Sequence, residues 1–117
     1  MSDIFISKST RDNSLALSLY DVMEENGIDC WIADRDLETK AADLYADDIV
    51  AAIHASKALL LILSKNSYTS KHVLNEISCA CDNGIPVYVF QIEEMEVNSP
   101  IFSYYLNKGQ RVIDLDV

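Results

Sequence analysis

The feature that most constrains this chain is a repeated alternation of short apolar runs with longer amphipathic stretches. The runs lie at 3–7 (DIFIS), 28–33 (IDCWIA), 58–63 (ALLLIL), 85–91 (IPVYVFQ) and 111–115 (RVIDL). Several are almost continuously hydrophobic, which is the pattern of strands buried on both faces. Strand, helix, strand in succession builds right-handed βαβ units, so a parallel sheet with helices on both faces is expected. Within 13–26, Leu15, Leu19, Val22 and Met23 fall on one helical stripe, Asp12 or Asn13 can cap the start, and Gly27 closes the end. A second helix is expected over 42–56, with Tyr45, Ile49, Ala52 and Ile53 facing the core. A third is expected over 70–83, burying Val73, Ile77, Ala80 and Cys81 and ending at Gly84. The last crossover, 92–110, is less regular and has room for a short helix near 101–106.

Composition narrows the function. At 117 residues and 50% hydrophobic, the chain is sized for one domain with a real core, and disorder is excluded. No apolar run approaches the ~18 residues of a membrane span, and no secretory signal is visible after Met1, so the cytoplasm is the expected compartment. The net charge of −10 argues against nucleic acid and against an anionic membrane surface as partners. Cys30, Cys79 and Cys81 have no CxxC spacing, which favours small buried thiols over a disulfide or zinc site. A doubly wound domain normally carries another helix after its last strand. Here the chain stops first, which points to a domain cut from a longer protein or to a partner covering that face.

In open parallel sheets, ligands bind at the carboxyl ends of the strands where the strand order reverses. Five strands in the order 2-1-3-4-5 put that point between the first and third. The loops that matter are then 8–12, 34–43 and 64–70. The first reads Lys8-Ser9-Thr10-Arg11-Asp12 and has no glycine, so a Gly-rich phosphate cradle is absent. The third strand ends at Ser64 where a phosphoryl-accepting receiver needs Asp. Both of those readings fall.

Five fragments in order carry a more specific signal. They are Asp3-Ile4-Phe5-Ile6-Ser7, Gly27 through Asp36 (GIDCWIADRD), Leu61 through Ser67 (LILSKNS), Ser70 through Ile77 (SKHVLNEI), and Ile85-Pro86-Val87 with Phe90 and Tyr104-Tyr105-Leu106. Together they resemble a TIR domain of the bacterial, NAD-cleaving type, over essentially the whole chain. The resemblance implies a flavodoxin-like α/β fold, which agrees with the architecture read from periodicity. It also implies one of two activities: cleavage of NAD+ at the nicotinamide–ribose bond, giving ADP-ribose or a cyclic ADP-ribose, or scaffolding through contacts between TIR domains. In bacteria the first commonly serves antiphage defence. NAD+ enters as substrate, and no cofactor or metal is implied. Partners would be other TIR domains and a fused sensor or effector domain.

By its place in the family's Ser-x-Trp-x-x-x-Glu pattern, Glu76 is the implied catalytic residue. Helical geometry puts it about 100° from the centre of the buried stripe, at the border of core and solvent. Its second-turn position also lets the helix dipole favour an anion. Nicotinamide leaves as a neutral molecule and needs no general acid, so one carboxylate can serve where ordinary glycoside cleavage needs two. His72 stands where the pattern has Trp; it can stack or hydrogen-bond, or be a surface histidine. Trp31 is either a wall of the nicotinamide pocket or a core aromatic, while Phe5 is core and His54 is exposed. Ser7, Lys8 and the 34–44 loop beginning at Asp34 would bound the nucleotide, with Arg11 a second cation near its phosphates. In the family that loop, here Asp34-Arg35-Asp36-Leu37-Glu38 onward, inserts into a neighbouring copy and completes its site. Many relatives have Pro and Gly in it, and this chain has neither.

Overall fold

The computed structural model describes residues 3–32, 42–93 and 112–114. Five parallel strands, β1 (Ile4–Ser7), β2 (Cys30–Trp31), β3 (Ala58–Leu63), β4 (Val87–Gln91) and β5 (Val112–Asp114), form one sheet in the order β2-β1-β3-β4-β5. The helices are α1 (Asn13–Glu25), α2 (Ala42–His54), a single turn α3 (Lys65–Tyr68) and α4 (Lys71–Asp82). A 3-10 turn at Thr10–Asp12 leads into α1. Every residue of β3 is buried, as its unbroken apolar run requires of a central strand.

Alternation along β1 distributes its side chains to two cores. Phe5 joins Leu59, Leu61, Leu63, Val87 and Val89 beneath α2 and α4, which contribute Ile49, Ala52, Ile53, Val73, Ile77 and Ala80. Ile6 joins Cys30, Ile32 and Ile62 beneath α1, which contributes Ala16. Ser7, two residues beyond Phe5, therefore points to the α4 side. Gly27 and Gly84 follow α1 and α4 with φ of 81° and 74°, the left-handed conformation in which a helix end is closed at least cost by glycine.

Three local expectations are corrected. The inward face of α1 is Ala16, with Leu19, Tyr20 and Met23 half-buried, whereas Leu15 and Val22 are exposed at 36% and 55%. The small Ala16 side chain lets the helix lie close to the sheet and turns Leu15 and Val22 outward. Asp12 holds the N-cap position of α1 but makes no capping bond there. Cys79 and Cys81 are half-buried, and Cys30 is fully inside; none of the three is in a disulfide. The 101–106 helix and the 34–38 loop fall outside the described residues, as does the side chain of Tyr45. Among the described residues no helix is long and apolar enough to cross a membrane.

Candidate active site

α4 begins at Ser70, whose hydroxyl accepts from the Val73 amide and so fixes the first turn. One turn further on, Glu76 reaches over the carboxyl end of β1. Ser7 Oγ donates to Glu76 Oε1 at 2.6 Å, joining two residues 69 positions apart. Ser7 is 1% exposed, so both its hydroxyl and the carboxyl it meets are largely removed from water. Burial pushes the Glu76 carboxyl from its ordinary 4.5 up to about 7; the Ser7 hydrogen bond and the nearby Lys8 charge pull the other way and do not win.

Of the other residues singled out from the sequence, Lys8 directly follows Ser7, and its charge bears on Glu76. Trp31 sits opposite Phe5 across β2 and β1 and stacks on it, with ring centroids 5.0 Å apart and 11° between planes. It is half-buried and packs against the same core as Phe5, on the sheet face that Ser7 and α4 share. His72 lies one turn before Glu76 on α4 and is exposed, as is His54 on α2. Asp34 is outside the described residues. Cys79 is a poor nucleophile, because burial, Asp82 and Glu76 all push its thiol up. No group of His, Cys, Asp and Glu among the described residues is arranged to hold a metal.

A second polar cluster, not singled out from the sequence, joins the loop after β1 to the turn after β3. Asp12 Oδ2 accepts from Ser64 Oγ at 2.5 Å, and Asp12 Oδ1 accepts from Asn66 Nδ2 at 3.2 Å. Ser64 and Ser67 form a reciprocal capping box around α3, and both are fully buried. The Ser-x-x-Ser spacing at the end of an apolar run signals the capped turn, but its partner in the loop after β1 has no local signature. Lys65 N also donates to Glu93 Oε2 at 2.7 Å, tying the same turn to the segment after β4.

A parallel sheet of order 2-1-3-4-5 with helices on both faces defines a flavodoxin-like α/β domain. The chain belongs to the TIR domain family, whose model matches residues 4–116. No curated protein matches its sequence. Among solved structures it is similar to the TIR domain of the Toll-related receptor TRR-2 from Hydra magnipapillata. That likeness has 18% identity and a TM-score of 0.79, over 98% of this chain and 85% of that one. It is also similar to a conserved protein from Enterococcus faecalis V583, with 16% identity and a TM-score of 0.77, over 97% and 91%. A third likeness is to the TIR domains of the activated Roq1 resistosome, with 18% identity and a TM-score of 0.63, over 92% and 70%.

The raised Glu76 carboxyl has a stability consequence. Between the unfolded value of 4.5 and the folded value of about 7 the native state binds more protons than the unfolded state, so stability falls as pH rises through that window. Ionised Glu76 then costs the fold about 3 kcal/mol at pH 8. Glu76→Gln keeps an oxygen for the Ser7 hydroxyl and removes the charge. The variant is expected to melt roughly 5 °C or more above wild type at pH 8 and together with it at pH 4. Thermal melts at the two pH values check this, and equal melting at pH 8 contradicts it.

Proposed function

We propose that this TIR domain is an NAD+ nucleosidase that releases nicotinamide and leaves ADP-ribose or a cyclic ADP-ribose, with Glu76 as its catalytic residue. The observation that carries the reading is the half-buried Glu76 carboxyl held by Ser7 Oγ at 2.6 Å at the carboxyl end of β1. The family contains NAD-cleaving enzymes as well as scaffolds, and a desolvated carboxyl in a cleft is a feature of a working acid–base or electrostatic group. Charge supports the choice of substrate. Four of the five Lys and Arg among the described residues, Lys8, Arg11, Lys65 and Lys71, lie on the loops or helix start at the carboxyl end of the sheet. In a chain of net charge −10 this is where a dianionic pyrophosphate would be accepted.

The nicotinamide of NAD+ is already a cation and departs neutral, so the bond to ribose breaks without protonation of the leaving group. Positive charge then grows on the ribose. The Glu76 carboxylate stabilises it through the ribose hydroxyls, one oxygen being held in place by Ser7. Water, or an adenine nitrogen of the same molecule, takes the vacated position. Trp31 and the exposed His72 flank the nicotinamide, Lys8 faces the phosphates, and Asp34 with the loop through Arg35, Asp36, Leu37 and Glu38 belongs to the contact with a neighbouring copy. Likeness to the TIR domains of an activated resistosome supports activation by self-association. A role in bacterial antiphage defence follows the same reading.

Only the carboxylate form of Glu76 can act. With the carboxyl at about 7, kcat/KM for nicotinamide release is expected to rise about tenfold per pH unit below neutrality and to level off above it. The pyridinium charge of bound NAD+ favours the carboxylate, so the midpoint in kcat should lie below that in kcat/KM. Release measured from pH 5.5 to 8.5 tests the assignment. A flat profile contradicts Glu76 as the acting group, and absence of release at every pH in a self-associating protein returns the chain to the scaffold class.

A further inference from the structure

We infer that Asp12 is a positioning residue for this site, its carboxylate locking the loop after β1 to the turn after β3 so that Ser7 and Lys8 stay against Glu76. An aspartate at a helix N-cap ordinarily accepts from amides of its own first turn. Asp12 makes no such bond. Both of its oxygens are used on the turn after β3, Oδ2 on the Ser64 hydroxyl and Oδ1 on the Asn66 amide, partners 52 and 54 residues away. The loop it holds is short: Ser7 ends β1, and Ser9 Oγ accepts from the Arg11 amide in the 3-10 turn. The far side is equally fixed. Ser64 and Ser67 cap α3, and α3 runs through Thr69 into the Ser70 cap of α4, the helix that presents Glu76. The two arms of the Ser7–Glu76 contact are therefore joined a second time, at Asp12.

Charged hydrogen bonds of this kind are directional and about twice as strong as neutral ones, which suits them to setting a position. Without the Asp12 carboxylate, the buried Ser64 hydroxyl loses its acceptor, and the 8–12 loop loses this tie to the turn after β3. The groups bearing on the Glu76 carboxyl are Ser7 and Lys8 from the β1 end, with His72 and Cys79 one turn away on α4 itself. Of these, Ser7 and Lys8 favour the carboxylate. Loosening them leaves burial less opposed and holds Glu76 in its protonated form to higher pH.

This inference rests on the NAD+-cleaving reading only for its kinetic arm. The test is a carbon-13 NMR titration of the Glu76 carboxyl beside NAD+ cleavage kinetics, in wild type, Asp12→Ala, Asp12→Asn and Ser64→Ala. Asp12→Ala should raise the Glu76 midpoint by about half a unit or more and lower kcat by roughly 10- to 100-fold with less change in KM. Asp12→Asn should recover most of both, because its amide oxygen still accepts from Ser64 and its amide can pair with a flipped Asn66, through weaker neutral bonds. Ser64→Ala should move both readouts in the same direction by less, and it decides the matter if Asp12→Ala does not fold. A Glu76 midpoint and kcat unchanged from wild type in folded Asp12→Ala overturns the assignment. So does an Asp12→Asn protein as impaired as the alanine variant. If wild type releases no nicotinamide, the functional reading fails, while the carboxyl titration still decides whether Asp12 positions the site.

Discussion

Glu76→Gln is expected to lower nicotinamide release from NAD+ by about 10³-fold, in the range seen when a preorganised group facing transition-state charge is removed. Glutamine has the same shape, and its oxygen still accepts from Ser7 Oγ, which sits 2.6 Å from Glu76 Oε1. Substrate binding is therefore expected to change little. The lost charge matters most when the ribose becomes cationic, so the effect falls mainly on kcat, with a smaller rise in KM from the lost attraction to the pyridinium. Glu76→Asp separates charge from reach. It keeps a carboxylate but draws it back by one methylene, and a misplacement of about 1 Å can cost 10²-fold. Steady-state kinetics on both variants check the two halves of this account. Equal kcat in wild type and Glu76→Gln contradicts it.

The largest effect on stability is expected at Phe5. Its side chain is 1% exposed, packs in the core beneath α2 and α4, and stacks on Trp31. Phe5→Ala is expected to cost about 3–5 kcal/mol through lost transfer energy and the cavity left behind. Loss of the aromatic stack adds about 1 kcal/mol. For a domain of this size that lowers the melting temperature by more than about 10 °C. Trp31 is the chain's single tryptophan, so its fluorescence reports directly whether its platform has gone. Urea unfolding followed by that signal gives the number. A cost under about 1 kcal/mol would mean that the sheet edge at β2 closes over the gap without strain.

The sheet was legible because its strands announce themselves. The run ALLLIL can be satisfied only by burial on both faces, and the structure makes it the central strand with all six residues inside. Parallel pairing and the short number of strands then leave little freedom in the order. Glu76 was also legible as a border position, since helical geometry sets it beside the stripe of Val73, Ile77 and Ala80, all buried. What sequence could not give was the company it keeps. Ser7 and Glu76 are 69 positions apart, and no local pattern pairs them. Asp12 read as a capping residue because the sequence shows only its own helix, whereas its partners come from the turn after β3. The face of α1 was missed for a different reason. Leu15 and Val22 outweigh Ala16 in any apolar count, yet the smallest side chain is the one that fits closest to the sheet.

Nicotinamide release from NAD+, followed over a wide range of protein concentration for wild type and Glu76→Gln side by side, tests the central claim most directly. The account predicts release that rises more steeply than protein concentration in wild type and is essentially lost in the variant. Release of equal rate in the two proteins would contradict Glu76 as the catalytic residue. No release from wild type at any concentration, with self-association demonstrated and forced clustering applied, would contradict the enzyme and leave a scaffold.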